Sequence, residues 1–319
     1  MIAGRNPPRA QRGVALLVAI LLVAMGTILA ASIAFDSAMS ARRGVAILAL
    51  DQSLMVATGA EALAAYALRE DEREGTEVDH PGEVWGKPYG PLEIVPGVVL
   101  TAYVEDLQGR FNLNSLLQAD GQVNESALAQ LQRLLEMLEI EPKWAGMIAD
   151  WIDLDTEART PDGGEDSLYA SQDPPYRTPN LLITSVSELL ALPGFGRERF
   201  LKLAPYVTAL PWNAPLNLCS AAGIVIDSLI PNHKEYSNAE TPLTSNRERG
   251  CFPTVNDLQP AFPDSDSFNA ARDRMGTRSS YFRLTSIVRI GTSEFALYSL
   301  LKRENGGMVR PIMRSFSRE

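Results

Sequence analysis

The stretch VALLVAILLVAMGTILAASIA, residues 14–34, runs for 21 residues without a charged side chain. As an α-helix rising about 1.5 Å per residue it matches the hydrocarbon thickness of a bilayer. Arg5, Arg9 and Arg12 precede it, and the first charge after it is Asp36. Positive flanks stay on the cytoplasmic side, so the reading places the N-terminus in the cytoplasm and the rest of the chain outside. No proline occurs between Pro8 and Pro81, and alanine, leucine and methionine dominate as far as Leu68. One helix therefore continues past the membrane. An apolar stripe through Ile47, Leu50, Leu54, Met55, Ala62 and Tyr66 is expected to pack onto a globular head.

Three readings compete for this segment: a secretory signal, a plain anchor, and a leader cut on its cytoplasmic side. Secretory signals have an apolar core of roughly 7–15 residues, shorter than this one. A plain anchor has no need of the helix's outer half. The third reading fits Arg12-Gly13-Val14, where a glycine separates a basic leader from the apolar helix.

The remaining chain is globular in composition, with 45% hydrophobic residues among 319 and a formal charge of −10. That balance excludes a broad phosphate-binding surface, which needs clustered Lys and Arg. Residues 92–104, LEIVPGVVLTAYV, read as a strand or hairpin around Pro96-Gly97. Residues 125–138 form an amphipathic helix with Leu128, Leu131, Leu134 and Leu135 on one face. Strand patterns return only at 281–290, 294–301 and 308–316. One sheet is thus split by a long helical interval, an α+β arrangement. The stretch from Leu216 onward reads as another capped helix, and residues 231–280 as irregular chain around short helices. The two cysteines, Cys219 and Cys251, are too few for a disulfide scaffold. Export makes them one disulfide, and a reducing compartment two free thiols.

Acidic residues are densest in DWIDLDTE, residues 150–157, followed by DGGED at 162–166. Hard divalent cations such as calcium take six to eight oxygens, and glycines let a loop close tightly around the ion. Asp153, Asp155, Glu165 and Asp166 are the candidate ligands, with Asn217 or main-chain carbonyls as candidates to complete the shell. The spacing is not an EF-hand: counting from Asp153, position six is Ala158 and position twelve Gly164. A solvated acidic turn with helix-capping aspartates remains the other reading of these residues. A catalytic pair of acids needs a cleft with unlike environments, which nothing here suggests, and GxSxG, P-loop and HExxH motifs are all missing. The expectation is that the protein is not an enzyme.

Residues 187–202, SELLALPGFGRERFLK, have the turn of a helix-hairpin-helix unit, which in DNA-binding versions holds a backbone phosphate. Residues 120–210 carry 15 acids and 7 bases, a net of −8 that repels DNA. Arg197, Arg199 and Lys202 are the whole basic patch, and the motif reads as a structural hairpin without nucleic acid. A membrane-anchored DNA-uptake receptor or a generic periplasmic binding protein is the alternative.

These features together resemble the type IV pilins and pseudopilins, and specifically the K minor pseudopilins of type II secretion. That class normally carries a glutamate at the fifth mature position, and here cleavage after Gly13 places Val18 there. A buried carboxylate needs a positive partner, thought to be the neighbouring subunit's N-terminal amine, so a tip subunit gains nothing from it. The resemblance implies a pilin-like fold: a long N-terminal helix, a small antiparallel sheet, and a large inserted all-α domain of SAM-like, helix-hairpin-helix units. The implied organisation is a leader at 1–13, the transmembrane half of the helix at 14–34 and its periplasmic half at 35–70. The head follows at 90–111, interrupted by the inserted domain at 112–210 and completed at 211–319. It further implies calcium in the acidic loop, cleavage after Gly13 by prepilin peptidase, and methylation of Val14. The implied partners are the I and J minor pseudopilins, with H and the major pseudopilin beside them. The implied location is the inner membrane in a single pass, with the head in the periplasm, at the tip of a pseudopilus that it initiates.

Overall fold

The structure is a computed structural model that describes residues 12–74, 77–237, 242–247, 250–304 and 306–317. Residues 1–11, most of the leader, lie outside the described residues. The chain divides into two compact units, residues 1–55 and 56–319.

The first unit holds the N-terminal part of helix α1, which runs Arg12–Arg73. Its apolar stretch is long and apolar enough to cross a membrane, with a mean hydropathy of 2.8 over its best 18-residue window. Val14 and Val18 both lie on this helix.

In the second unit the sheet order is β1-β2-β7-β8-β9, antiparallel throughout. The expected hairpin is β1 (Tyr89–Val95) and β2 (Val98–Asp106), turning at Pro96-Gly97, where Gly97 takes a positive φ of 81°. Alternation along β2 buries Val98, Leu100, Ala102 and Val104. The other long strands are β7 (Tyr281–Ile290), β8 (Ser293–Arg303) and β9 (Val309–Ser315). Central β2 and β7 pair from Val98↔Ile290 to Asp106↔Phe282, although the whole helical interval separates them in sequence.

Helix α1 buries a different face from the one expected. Within the second unit, Ala57, Ala60, Glu61, Ala64 and Leu68 are buried, while Tyr66 of the expected stripe is more than half exposed and Ala62 is exposed. Alanine has no side chain beyond Cβ, so a row at spacings of three and four lets a helix backbone sit close to a neighbouring surface. Two ion-paired anchors hold this end of α1. Glu61 accepts a 2.5 Å hydrogen bond from Ser299 on β8 and faces Arg314 on β9. Arg303 on β8, only 4% exposed, reaches Asp71 at 3.2 Å and Asp79, and lies over the ring of Phe282.

Between β2 and β7 the regular structure is mainly helical: α2 (Glu125–Met137), α3 (Trp144–Ile152), α4 (Asp166–Tyr169), α5 (Gly196–Leu203), α6 (Gly223–Asp227), α7 (Pro242–Arg247), α8 (Val255–Leu258) and α9 (Ser265–Arg272). It is not purely helical. Two parallel ladders of two residues each cross it, β3 (Phe111–Asn112) with β4 (Val207–Thr208) and β5 (Leu216–Asn217) with β6 (Met275–Gly276). The capped helix expected from Leu216 is therefore a strand followed by the short α6. One continuous apolar cluster runs from Phe111 to Met275, with Leu131, Leu134, Leu135, Ile148 and Ile152 fully enclosed. Residues 216–275, expected in the second part of the head, contribute to this cluster.

The ends of the interval meet in a polar knot. Asp106, the last residue of β2, accepts hydrogen bonds from Ser220, from Asn217 at 2.8 Å and from Ser279 at 2.7 Å. Gln108 donates to the carbonyl of Pro215 and accepts from the amides of Ser280 and Tyr281. Buried side-chain amides with every group paired are worth far more than their surface counterparts, because an orphaned partner costs its full desolvation.

Candidate metal centre

Helix α3 ends at Ile152 with Asp153 as its C-cap residue, which places Asp150 and Asp153 one turn apart at the end of the helix. The loop that follows folds back on Asp150. Its Oδ2 accepts from the main-chain N–H of Arg159 and of Gly164, both at 2.9 Å. Gly163 is required by this approach, since a Cβ there would lie 2.2 Å from Asp150 Oδ2 and 2.3 Å from the Arg159 nitrogen.

This closure brings three of the four expected ligands together. One oxygen from each of Asp153, Asp155 and Glu165 lies within 4.8 Å of the other two. Asp153 and Glu165 are buried and Asp155 is exposed at the loop's outer side. Asp166 is turned elsewhere: its Oδ1 accepts from the N–H and hydroxyl of Thr178, and Oδ2 sits 3.7 Å from Arg177. Asp150, which the sequence reading did not single out, stands beside the group. Asn217 is engaged far from it, its amide donating to the Asp79 carbonyl, Asp106 and Ser279 in the polar knot.

The electrostatics of the group are strained in one direction. Burial pushes the Asp153 carboxyl up to about 7, and the charges of Asp155, Asp150 and Glu165 add to the shift. Burial likewise raises Asp150 and Glu165. Among the described residues, buried Asp150 Oδ1, Asp153 Oδ1, Glu165 Oε1 and Asn180 Oδ1 accept no hydrogen bond. Asn180 holds a positive φ of 45° while its amide donates to the Asp155 carbonyl. Four orphaned buried oxygens, three on carboxylates, form a donor set of the kind that hard cations take.

A second acidic group, Asp71, Asp79 and Glu83, also places oxygens within 4.8 Å of one another. It already has a cation, because Arg303 donates to both Asp71 and Asp79. Two of the three basic residues of the helix-hairpin-helix segment form ion pairs at the protein's own surface. Arg199 makes two 2.7 Å hydrogen bonds to Glu141 and lies over Trp144, while Lys202 faces Glu139 at 3.9 Å. The turn glycines Gly194 and Gly196 take φ of 80° and 74°. Cys219 and Cys251 are joined in a disulfide, with Cα atoms 4.6 Å apart.

A long apolar helix that ends on a small antiparallel sheet, interrupted by a helical body with an acidic loop, is the architecture of a pilin-like subunit. The family model for Type II secretion system (T2SS), protein K, matches residues 109–212. Type II secretion system protein K of Pseudomonas aeruginosa is 32% identical, with 96% of this chain and 93% of that protein covered. Its namesakes in Pectobacterium carotovorum and Klebsiella pneumoniae are each 31% identical, covering 96% and 92% of this chain. Among solved structures, a chain in the GspK-GspI-GspJ complex from enterotoxigenic Escherichia coli superposes with a TM-score of 0.75 at 23% identity, covering 87% of this chain and 100% of that one. The chain belongs to the type II secretion system protein K family. It is thereby a minor pseudopilin of type II secretion.

Proposed function

We propose that this subunit sits at the tip of the pseudopilus, starts its assembly together with the I and J minor pseudopilins, and supports export of folded proteins as a structural part rather than an enzyme. The observation that carries the reading is the helical body inserted between adjacent strands β2 and β7. Subunits repeating in a tight helical filament have no room for such a body above them. Val18 supports the same position, since it leaves the fifth mature residue without a carboxylate to pair with a preceding subunit's amine. The exposed large residues of α1, Leu63 and Tyr66 among them, offer partner helices an apolar face. The structure titled as a GspK-GspI-GspJ complex supports I and J as those partners. In this reading α1 spans the inner membrane with its N-terminus in the cytoplasm, and prepilin peptidase cuts after Gly13 and leaves a methylated Val14.

The acidic loop holds calcium in this proposal, with Asp153, Asp155 and Glu165 as the charged ligands. The ion's chemistry there is structural: it neutralises carboxylates that burial and mutual repulsion leave under strain. The loop's own residues do the positioning, Asp150 by fixing the turn and Thr178 by steering Glu165 and Asp166.

The test is to co-express the full chain with I and J, isolate it from membranes, and measure its N-terminus, intact mass and bound partners. A chain beginning at methylated Val14 and co-purifying with I and J is expected. A chain beginning at Met1, or one that leaves both partners behind, overturns the proposal.

A further inference from the structure

A pocket of about 410 Å³ opens between α2, the 212–216 segment and the end of α9. That volume is in the range of small-ligand sites. Its walls include Asn112, Asn124, Gln130, Trp212, Asp273 and Arg274. The calcium loop contributes nothing to it.

Arg274, which is half-buried, has partners unlike those of five other arginines of this unit. Arg303, Arg283 and Arg314 each face a carboxylate, and Arg133 and Arg247 donate to main-chain carbonyls. Arg274 has only neutral side-chain partners: Nη1 donates to Gln130 Oε1 at 2.7 Å and Nη2 to Ser126 Oγ at 3.0 Å. Its buried Nε has no hydrogen-bond partner, and among the described residues no carboxylate comes within ion-pair distance of it. Asp273 follows the chain next to it yet is exposed and unpaired with it. Burial lowers the Arg274 guanidinium to about 10, and nearby Arg133 adds to that. In a chain with a net charge of −10, a half-buried cation held in place by neutral groups beside a cavity is fixed in position without being neutralised.

We propose that this pocket binds a carboxylate, with the charge on Arg274 and the ligand's apolar part against Trp212. The guanidinium fork suits a carboxylate's two oxygens, and the indole supplies an apolar face and an N–H. Trp212 is 42% exposed, whereas Trp85, Trp144 and Trp151 are all buried. It is therefore the surface reporter for occupancy. The carboxylate comes either from a free small diacid or from an acidic side chain on another polypeptide, and the chemistry of recognition is the same.

The experiment uses the full chain in detergent with calcium present and follows tryptophan fluorescence. Three probes are titrated: glutarate, a blocked acetyl-Gly-Glu-Gly-amide peptide, and glutaramide, which keeps the glutarate skeleton without its charge. A saturable change with glutarate, the peptide or both is expected, with glutaramide at least about tenfold weaker. Binding by glutarate alone assigns a small diacid, binding by the peptide alone a polypeptide segment, and binding by both assigns the shared group. Arg274→Gln is expected to weaken the probes at least about tenfold. Because the glutaramide comparison leaves the protein untouched, the result stands even where that variant folds poorly. No saturable change below about 50 mM, or equal binding of glutarate and glutaramide, overturns the proposal.

Discussion

Replacing Asp153 with Asn removes one charged oxygen from the acidic loop while keeping its shape, and the two consequences have opposite sign. Without calcium, Asp153 is buried against Asp150, Asp155 and Glu165, and its carboxyl is raised to about 7. The amide relieves that repulsion, so the variant in chelator is expected to be at least as stable as the native protein. With calcium the order reverses. At about 1 mM calcium and a dissociation constant on the order of 10 µM, the native protein gains about 2.7 kcal/mol. At about 2–4 °C per kcal/mol for a domain of this size, melting rises by roughly 5–11 °C. A tenfold weaker site in the variant leaves about 1.4 kcal/mol, or half that rise. Melting of the full chain by circular dichroism, in calcium and in chelator, reads both effects. Equal calcium shifts in the two proteins, or a variant clearly less stable in chelator, would refute the reasoning.

Gly163→Ala drives a Cβ against Asp150 Oδ2 and the Arg159 main chain, and is expected to cost about 2 kcal/mol and most of the calcium shift, measured in the same melts. Asn114→Ala strips the partners from the Ile183 N–H and from the Ile183 and Leu210 carbonyls, all bonded at 2.8 Å. It is expected to lower unfolding stability by about 2–4 kcal/mol in urea titrations. Asp71 is raised from 3.8 to about 7 by burial, then by Glu83 and Asp79, against the pull of Arg303. The folded state therefore holds its proton longer than the unfolded state does, so this group's stabilisation is complete below the lower value and is lost as pH rises to the upper one. Asp71→Asn is expected to flatten the urea midpoint between about pH 4 and pH 7 relative to the native protein, and an unchanged slope would assign the pH dependence elsewhere.

Much of the sheet was legible because its strands are β-branched runs with clear ends: the Pro96-Gly97 hairpin and the 281–290 strand appear where the pattern places them. The leucine face of α2 was equally plain. The buried face of α1 was not. Reading by hydrophobic size favoured Tyr66, whereas close packing selected Ala57, Ala60 and Ala64, which carry little signal in a helix already rich in alanine. The two-residue ladders left no periodicity to find. Gln108, Asn112, Asn114 and Asn217 give no local signal of their roles because their partners lie from about seventy to over a hundred and seventy residues away in the chain. In the acidic loop, density of charge pointed to the segment whose carboxylates gather but could not rank its members. Asp150 was detectable in principle, one helical turn before Asp153, while Thr178 and Arg177, which draw Asp166 aside, lie beyond any local window.

The polar knot at Asp106 also bears on the order in which the sheet is completed. Strands β2 and β7 are hydrogen-bonded neighbours, yet β7 is synthesised only after the entire helical interval. Until then β2 presents an open edge, the kind of surface on which chains misassociate. Closing so long a loop directly would be slow, because its entropy is lost before any sheet contact forms. An interval that folds first removes this delay. Asp106 and Gln108 at one end and Ser279 and Ser280 at the other are then tied within hydrogen-bonding distance. To the sheet, the folded interval behaves as a short turn, and β7 docks beside β2 as though the two formed a simple hairpin. Lesions in the helical body are therefore expected to surface as failures of the sheet.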